Sequence, residues 1–130
     1  MKKVFPGVTC NGSSWRDALI NDLRIDYFQP CAEHWTPGMM EEEIKQRAEC
    51  DFCLYVITPK MTGVYSIAEV VDDSNKRPAK TIFCYLTSDE DQQFSADQLR
   101  SWEQTGKMIR ENGAAYFKTF AEIAGYLNTQ

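Results

Sequence analysis

The sequence predicts an α/β protein, a three-layer sandwich with helices on both faces of a sheet of about five parallel strands. Three observations carry that reading. Cys53–Thr58 (CLYVIT) and Thr81–Leu86 (TIFCYL) are short continuous apolar runs rich in β-forming residues, suited to strands buried on both faces. Between them, Ser66–Asp73 has helical character and gives way to the polar Ser74-Asn75-Lys76-Arg77-Pro78. A helical crossover of this kind joins parallel strands, right-handed in nearly all cases. Finally, strand-like and helix-like stretches alternate along the whole chain, the order expected of an α/β sheet.

Lys3–Val8 (KVFPGV) reads as the first strand, with Pro6 and Gly7 ending it early or making it irregular. A polar loop follows, then Trp15–Leu23 places Leu19, Ile20 and Leu23 at helical spacing behind a Ser13 or Ser14 N-cap. Such a loop opening a helix can hold a phosphate or a ribose hydroxyl on backbone N–H groups. Ile25–Phe28 is a short second strand, and Cys31–Gly38, with His34, Trp35 and Pro37, is irregular. His34 is the single histidine, so no histidine triad can be assembled; it is a pocket wall or an exposed side chain.

Glu41–Ala48 reads as a helix that begins in acids and ends in bases, as the macrodipole favours. After the central strand–helix–strand unit comes Thr87–Asp91 (TSDED), an acidic loop. Ser95–Asn112 is helical, with Gly106 a break point between two helices. Ala114–Phe117 is a marginal fifth strand, and Thr119–Leu127 a terminal helix with Phe120, Ile123, Ala124 and Leu127 on one face. This succession implies a flavodoxin-like sheet ordered 2-1-3-4-5.

The 130 residues suit one domain, 1–130, with one core. A net charge of −5 argues against a nucleic-acid polymer as partner, whose phosphates need clustered Lys and Arg, but leaves a small nucleoside or nucleotide open. No apolar run is of membrane-spanning length and no h-region follows Lys2-Lys3, so a soluble, cytoplasmic protein is expected. Five cysteines without a signal peptide favour reduced thiols. Cys50-x-x-Cys53 has no second Cys or His pair and runs into a strand; neither a metal nor another cofactor is called for.

Glu69 stands three residues after Ser66, the spacing of a capping box, and so is expected in the first turn of its helix, at the carboxyl edge of the sheet where open α/β folds bind ligands. It either completes the cap or acts as nucleophile or base. Asp51-Phe-Cys-Leu-Tyr-Val-Ile-Thr-Pro59, the Gly63 loop, Ser66-Ile-Ala-Glu69-Val70 and the strand after Arg77-Pro78 together resemble the nucleoside 2-deoxyribosyltransferase superfamily. The closer likeness is to its compact branch found in phages and bacteria.

In that superfamily the helix glutamate attacks the anomeric carbon of a deoxynucleoside, and Glu69 matches it. The resemblance further implies that the loop after the first strand lines the base and sugar pocket, which makes Gly7, Thr9, Asn11 and Ser13 substrate contacts. It makes Glu43, eight residues before Asp51, the match to an acid that helps hold the base. Thr62 and Gly63 leave room for a sugar beside Ser66, and Gly63 stands where the enzymes carry an Asp. Asp51 itself looks structural.

Trp15 is a stacking platform or core, and Arg16 a phosphate ligand or the partner of an acid. Asp72 and Asp73, one turn beyond Glu69, suit capping or solvation. The expected activity is N-glycosidic cleavage or transfer on a deoxynucleoside or its monophosphate, in a homo-oligomer. A non-catalytic nucleotide-binding or partner-binding module is the alternative, and NAD-glycohydrolase-type chemistry a third.

Overall fold

The computed structural model describes residues 2–8, 15–27, 37–62 and 64–130, with the side chains of residues 6–8, 40 and 43 outside that description. Five strands form one parallel sheet: β1 (Lys3–Val8), β2 (Asp26–Tyr27), β3 (Phe52–Ile57), β4 (Thr81–Tyr85) and, after a two-stranded ribbon, β7 (Ala115–Tyr116). Their order is β2-β1-β3-β4-β7. With the ribbon set aside, this is the predicted 2-1-3-4-5 arrangement. The two central runs are neighbours in parallel register, Cys53 opposite Thr81 and Ile57 opposite Tyr85.

All six residues of β3 are buried, because helices cover both faces. On one face Val4, Leu54, Val56, Ile82 and Cys84 pack against Trp15 and Leu19 of α1 (Trp15–Ile20) and against Ile123 and Leu127 of α5 (Phe120–Asn128). The other face carries Phe5, Cys53, Tyr55, Ile57 and Phe83. These meet Val70 of α3 (Tyr65–Lys76) and Trp102 and Ile109 of α4 (Ala96–Glu111). The alternation of side chains along each strand assigns the two sets, and each fully buried aliphatic contributes about 1.5–3 kcal/mol. α2 (Pro37–Glu49) lies on the α3 side, since Arg47 reaches Tyr55.

Four local expectations change. α2 begins at Pro37, ahead of the predicted Glu41, because proline's fixed φ is suited to the first helical turn. The glutamates Glu41–Glu43 are therefore not its first turn. α4 runs unbroken through Gly106, which a capping box of Ser95 and Gln98 opens. The glycine serves close approach instead: a Cβ there would lie 2.5 Å from the Tyr116 ring. The acidic loop after β4 contains the antiparallel ribbon of β5 (Ser88–Asp89) and β6 (Gln92–Gln93), turned by Glu90 at φ 55°. Residues of four-residue polar ribbons carry no apolar alternation, so the sequence pattern was silent there.

The fourth change concerns α3. Its N-cap is Val64, with no side-chain capping bond, and Ser66 sits inside the first turn. The capping box of Ser66 and Glu69 does not form. Glu69 is the fifth residue of the helix, about 6 Å along the axis from Tyr65, one turn inside the carboxyl edge of the sheet.

α4 is tied to the β4 and β7 strands beneath it by a carboxylate. Tyr85 and Tyr116, stacked with ring centroids 6.3 Å apart, donate to Glu103 Oε2 at 3.0 and 2.9 Å. Lys118 Nζ stands 3.5 Å from the other oxygen. These bonds, the Tyr116 bond first, hold the Glu103 carboxyl below its ordinary pKa.

Candidate functional site

A tyrosine in a strand covered on both faces must find a partner for its hydroxyl. Tyr55 finds Asp73, on the side of α3 that also carries buried Val70, and donates its proton to Asp73 Oδ2. Asp73 is fully buried, yet ionic partners surround it. Arg47 donates from Nε to Oδ2 at 3.1 Å and from Nη2 to Oδ1 at 3.0 Å, a two-toothed grip. Arg47 Nε also reaches the Tyr55 oxygen at 2.9 Å, and Arg77 Nη2 is 3.1 Å from Asp73 Oδ1. The expectation that Asp73 caps or is solvated is thus overturned: its position on the side of α3 that carries Val70 places it in the interior. Asp72, paired with Lys76 at 3.1 Å on the surface, is solvated as expected.

Glu69 joins this cluster from one turn nearer the carboxyl edge. Its Oε2 lies 3.0 Å from Arg47 Nη1, with the Glu69 side chain 24% and the Arg47 side chain 18% exposed. Among the described residues Oε1 receives no hydrogen bond. Burial raises the Glu69 pKa; the Arg47 charge opposes that shift and the Asp73 charge adds to it. Burial raises the Tyr55 pKa too, reinforced by its bond to Asp73. Arg47 stays protonated, because Asp73, Tyr55 and Glu69 together outweigh the effect of its burial.

Two arginines and two carboxylates therefore balance in charge across α2, α3 and β3. The arrangement leaves one carboxylate oxygen of Glu69 available, with the other oxygen held. Chemically that group can attack an electrophilic carbon when ionised or deliver a proton when neutral.

The other predicted residues are dispersed. Gly7 is paired opposite Tyr55 in the sheet, and Val8 opposite Val56, so β1 and β3 end side by side at the point where the chain order reverses. Thr9, Asn11, Ser13, Gly63 and His34 lie outside the described residues. Arg16 is 5% exposed with its guanidinium 4.4 Å from the Trp15 ring centroid. Trp15 is core, 6.1 Å from the Phe120 ring, which settles against its stacking role.

Thr62 is exposed and Ser66 buried at the start of α3. Glu43 is the seventh residue of α2, well inside the helix and one turn before Arg47, because the helix starts at Pro37; its side chain lies outside the description. Asp51 accepts the Lys3 backbone N–H at 2.9 Å, a structural tie between β1 and β3.

Arg47 and Tyr55 carry no site role in the sequence reading, and Arg77 enters it only through the Arg77-Pro78 motif. The available signal was Tyr55 itself, a hydroxyl in a run read as doubly buried, which demanded a polar partner from a covering helix. Cys50, Cys53 and Cys84 are free and buried. Burial pushes the Cys53 thiol up to about 11 and the Cys84 thiol up to about 12, against thiolate chemistry.

The fold and the cluster together define an open parallel α/β domain with a half-buried carboxylate on the helix that follows its central strand β3. Among the described residues no helix is long and apolar enough to cross a membrane. Comparison of the chain with models of protein families, with curated proteins and with solved structures gives no match.

Proposed function

We propose that the chain cleaves or transfers the N-glycosidic bond of a deoxynucleoside or deoxynucleoside monophosphate, with Glu69 as nucleophile. The observation that supports this most is the Glu69 carboxylate: half-buried, one oxygen 3.0 Å from Arg47, the other without a hydrogen bond from the described residues. A carboxylate with a raised pKa is more basic than a solvated one, and Arg47 holds its ionised form in place.

Attack on the anomeric carbon forms a glycosyl ester as the bond to the base breaks, the departing base taking a proton from an acid. Water or a second base then opens the ester. Glu43, one turn before Arg47 on α2, fills the acid's role in this reading. A homo-oligomer belongs to it as well, supported by the exposed Ile44, Val64 and Tyr65 on the two helices that carry the pair.

A second reading is a non-catalytic nucleotide-binding or partner-binding module. It draws on the same ion pair, since Glu69 also serves as the counter-charge that leaves Arg47 and Asp73 balanced. A panel of deoxynucleosides and their monophosphates, followed by chromatography of free base, tests the choice. Base release that Glu69→Gln lowers at least about a hundredfold, roughly 2.7 kcal/mol of barrier, supports the enzyme. Undiminished release by the Gln variant refutes Glu69 as nucleophile. Nucleotide binding with no release by the wild type supports the module.

A further inference from the structure

A groove of about 520 Å³ lies at the amino edge of the sheet, away from Glu69. Asp51 and Phe52, where β3 begins, and Arg77 to Lys80, just before β4, form part of its wall. Lys2, Lys76, Arg77 and Lys80 line it, with Asp51 the acid beside them. On a chain of net charge −5 this is a local reversal of sign.

The partners of these cations leave positive charge over. Lys80, partly buried, donates to the carbonyls of Ala48 and Cys50, both at 2.9 Å. Those acceptors are neutral, and an ammonium has a third N–H to give. Arg77 gives Nη2 to an Asp73 oxygen that Arg47 also holds, which leaves Nε and Nη1. Lys76 meets Asp72 only at an exposed pair that solvent screens. Asp51 is partly spent on the Lys3 N–H. The apolar part of the wall is Phe52 and Tyr126, edge to face with centroids 6.0 Å apart.

We propose that this groove binds a small phosphate-bearing anion, with Lys80 and Arg77 as its direct ligands. A partly buried ammonium held by neutral carbonyls, beside a guanidinium with open donors, favours a compact multivalent anion over chloride. The groove shares Arg77 with the ionic cluster through Asp73, but it lies at the other edge of the sheet from Glu69 and does not depend on the activity proposed there.

Amide chemical shifts of the labelled protein, titrated with sodium pyrophosphate and in parallel with AMP at constant ionic strength, test it. Saturable shifts centred on residues 51–52 and 77–80 are expected. Lys80→Met should weaken binding at least tenfold. Should that variant fail to fold, Lys2→Glu with Lys76→Glu, both on exposed side chains, should do the same. AMP binding more tightly, with shifts reaching Tyr126, supports a nucleotide as the source; equal binding supports free phosphate. Shifts reproduced by sodium chloride, centred elsewhere, or unchanged in the variants overturn the proposal.

Discussion

Tyr55 and Asp73 meet inside the protein, the hydroxyl of a central strand donating to a carboxylate on the helix that crosses it, with Arg47 bonded to both. The strand, α2 and α3 are locked at one point. A buried ionic cluster of this kind adds little net stability over an apolar one, but loss of one member leaves charges stranded.

Asp73→Asn should therefore cost about 3–5 kcal/mol, since two arginines lose their shared partner. Tyr55→Phe removes the hydroxyl's bond to Asp73 and the one it accepts from Arg47 Nε, while Asp73 keeps both guanidiniums, and should cost about 1–3 kcal/mol. Chemical denaturation of the two variants checks the order; equal losses would show that the charge is not what matters at this point.

Glu69 makes a pH-dependent contribution of definite sign. Its folded-state pKa lies above its unfolded one, chiefly through burial, so the folded state holds the proton more tightly. Stability from this group is present below the unfolded pKa and lost as pH rises through the folded one. Relative to Glu69→Gln, the wild type should lose ground from acid pH upward across that window, and unfolding free energies at a series of pH values measure it. A difference that is flat with pH contradicts the assignment.

Glu103 works in the opposite direction. Its pKa is depressed, first by the Tyr116 bond and then by that of Tyr85, so its contribution is present above the unfolded value and fades as pH falls through the folded one. Glu103→Gln should show a shallower acid loss than the wild type. An unchanged acid limb in the same denaturation series counts against the two-tyrosine clamp.

The sheet was legible because its two central strands are continuous apolar runs separated by a helical stretch. Cys53–Thr58 and Thr81–Leu86 could bury all their side chains only under helices on both faces, and the helical crossover between them makes the centre parallel. The cluster was only half legible. Glu69 stood out by its distance from Ser66, although the reason attached to that distance, a capping box, does not hold: the helix starts at Tyr65 and Glu69 faces Arg47 instead. Asp73, one turn beyond Glu69, reads from the sequence as a capping or solvated carboxylate. What makes its burial tolerable is a pair of arginines, one of them on another helix 26 residues away, and no local pattern announces such a pairing.

Gly106→Ala tests the close approach of α4 to Tyr116. In an open helix the change would gain up to about 1 kcal/mol of propensity. Here the new methyl meets the Tyr116 ring at 2.5 Å, and overpacking should make the variant about 1–3 kcal/mol less stable. A thermal midpoint above that of the wild type would refute the packing role.

The central place of β1 between β2 and β3 bears on how the chain finds its shape. β1 has no hydrogen-bonded strand neighbour until residues 26 and 52 arrive, with Asp51 tied to Lys3 across 48 positions, while β3 and β4 are joined through α3 alone. β2 offers β1 only two paired residues, whereas β3 and β4 pair five residues and close a smaller loop than the one that joins β1 to β3, so β3, α3 and β4 form the natural nucleus, to which β1 is then added. Substitutions in that unit would slow the climb to the transition state, and those in β2 or β7 would chiefly hasten the descent into the unfolded ensemble.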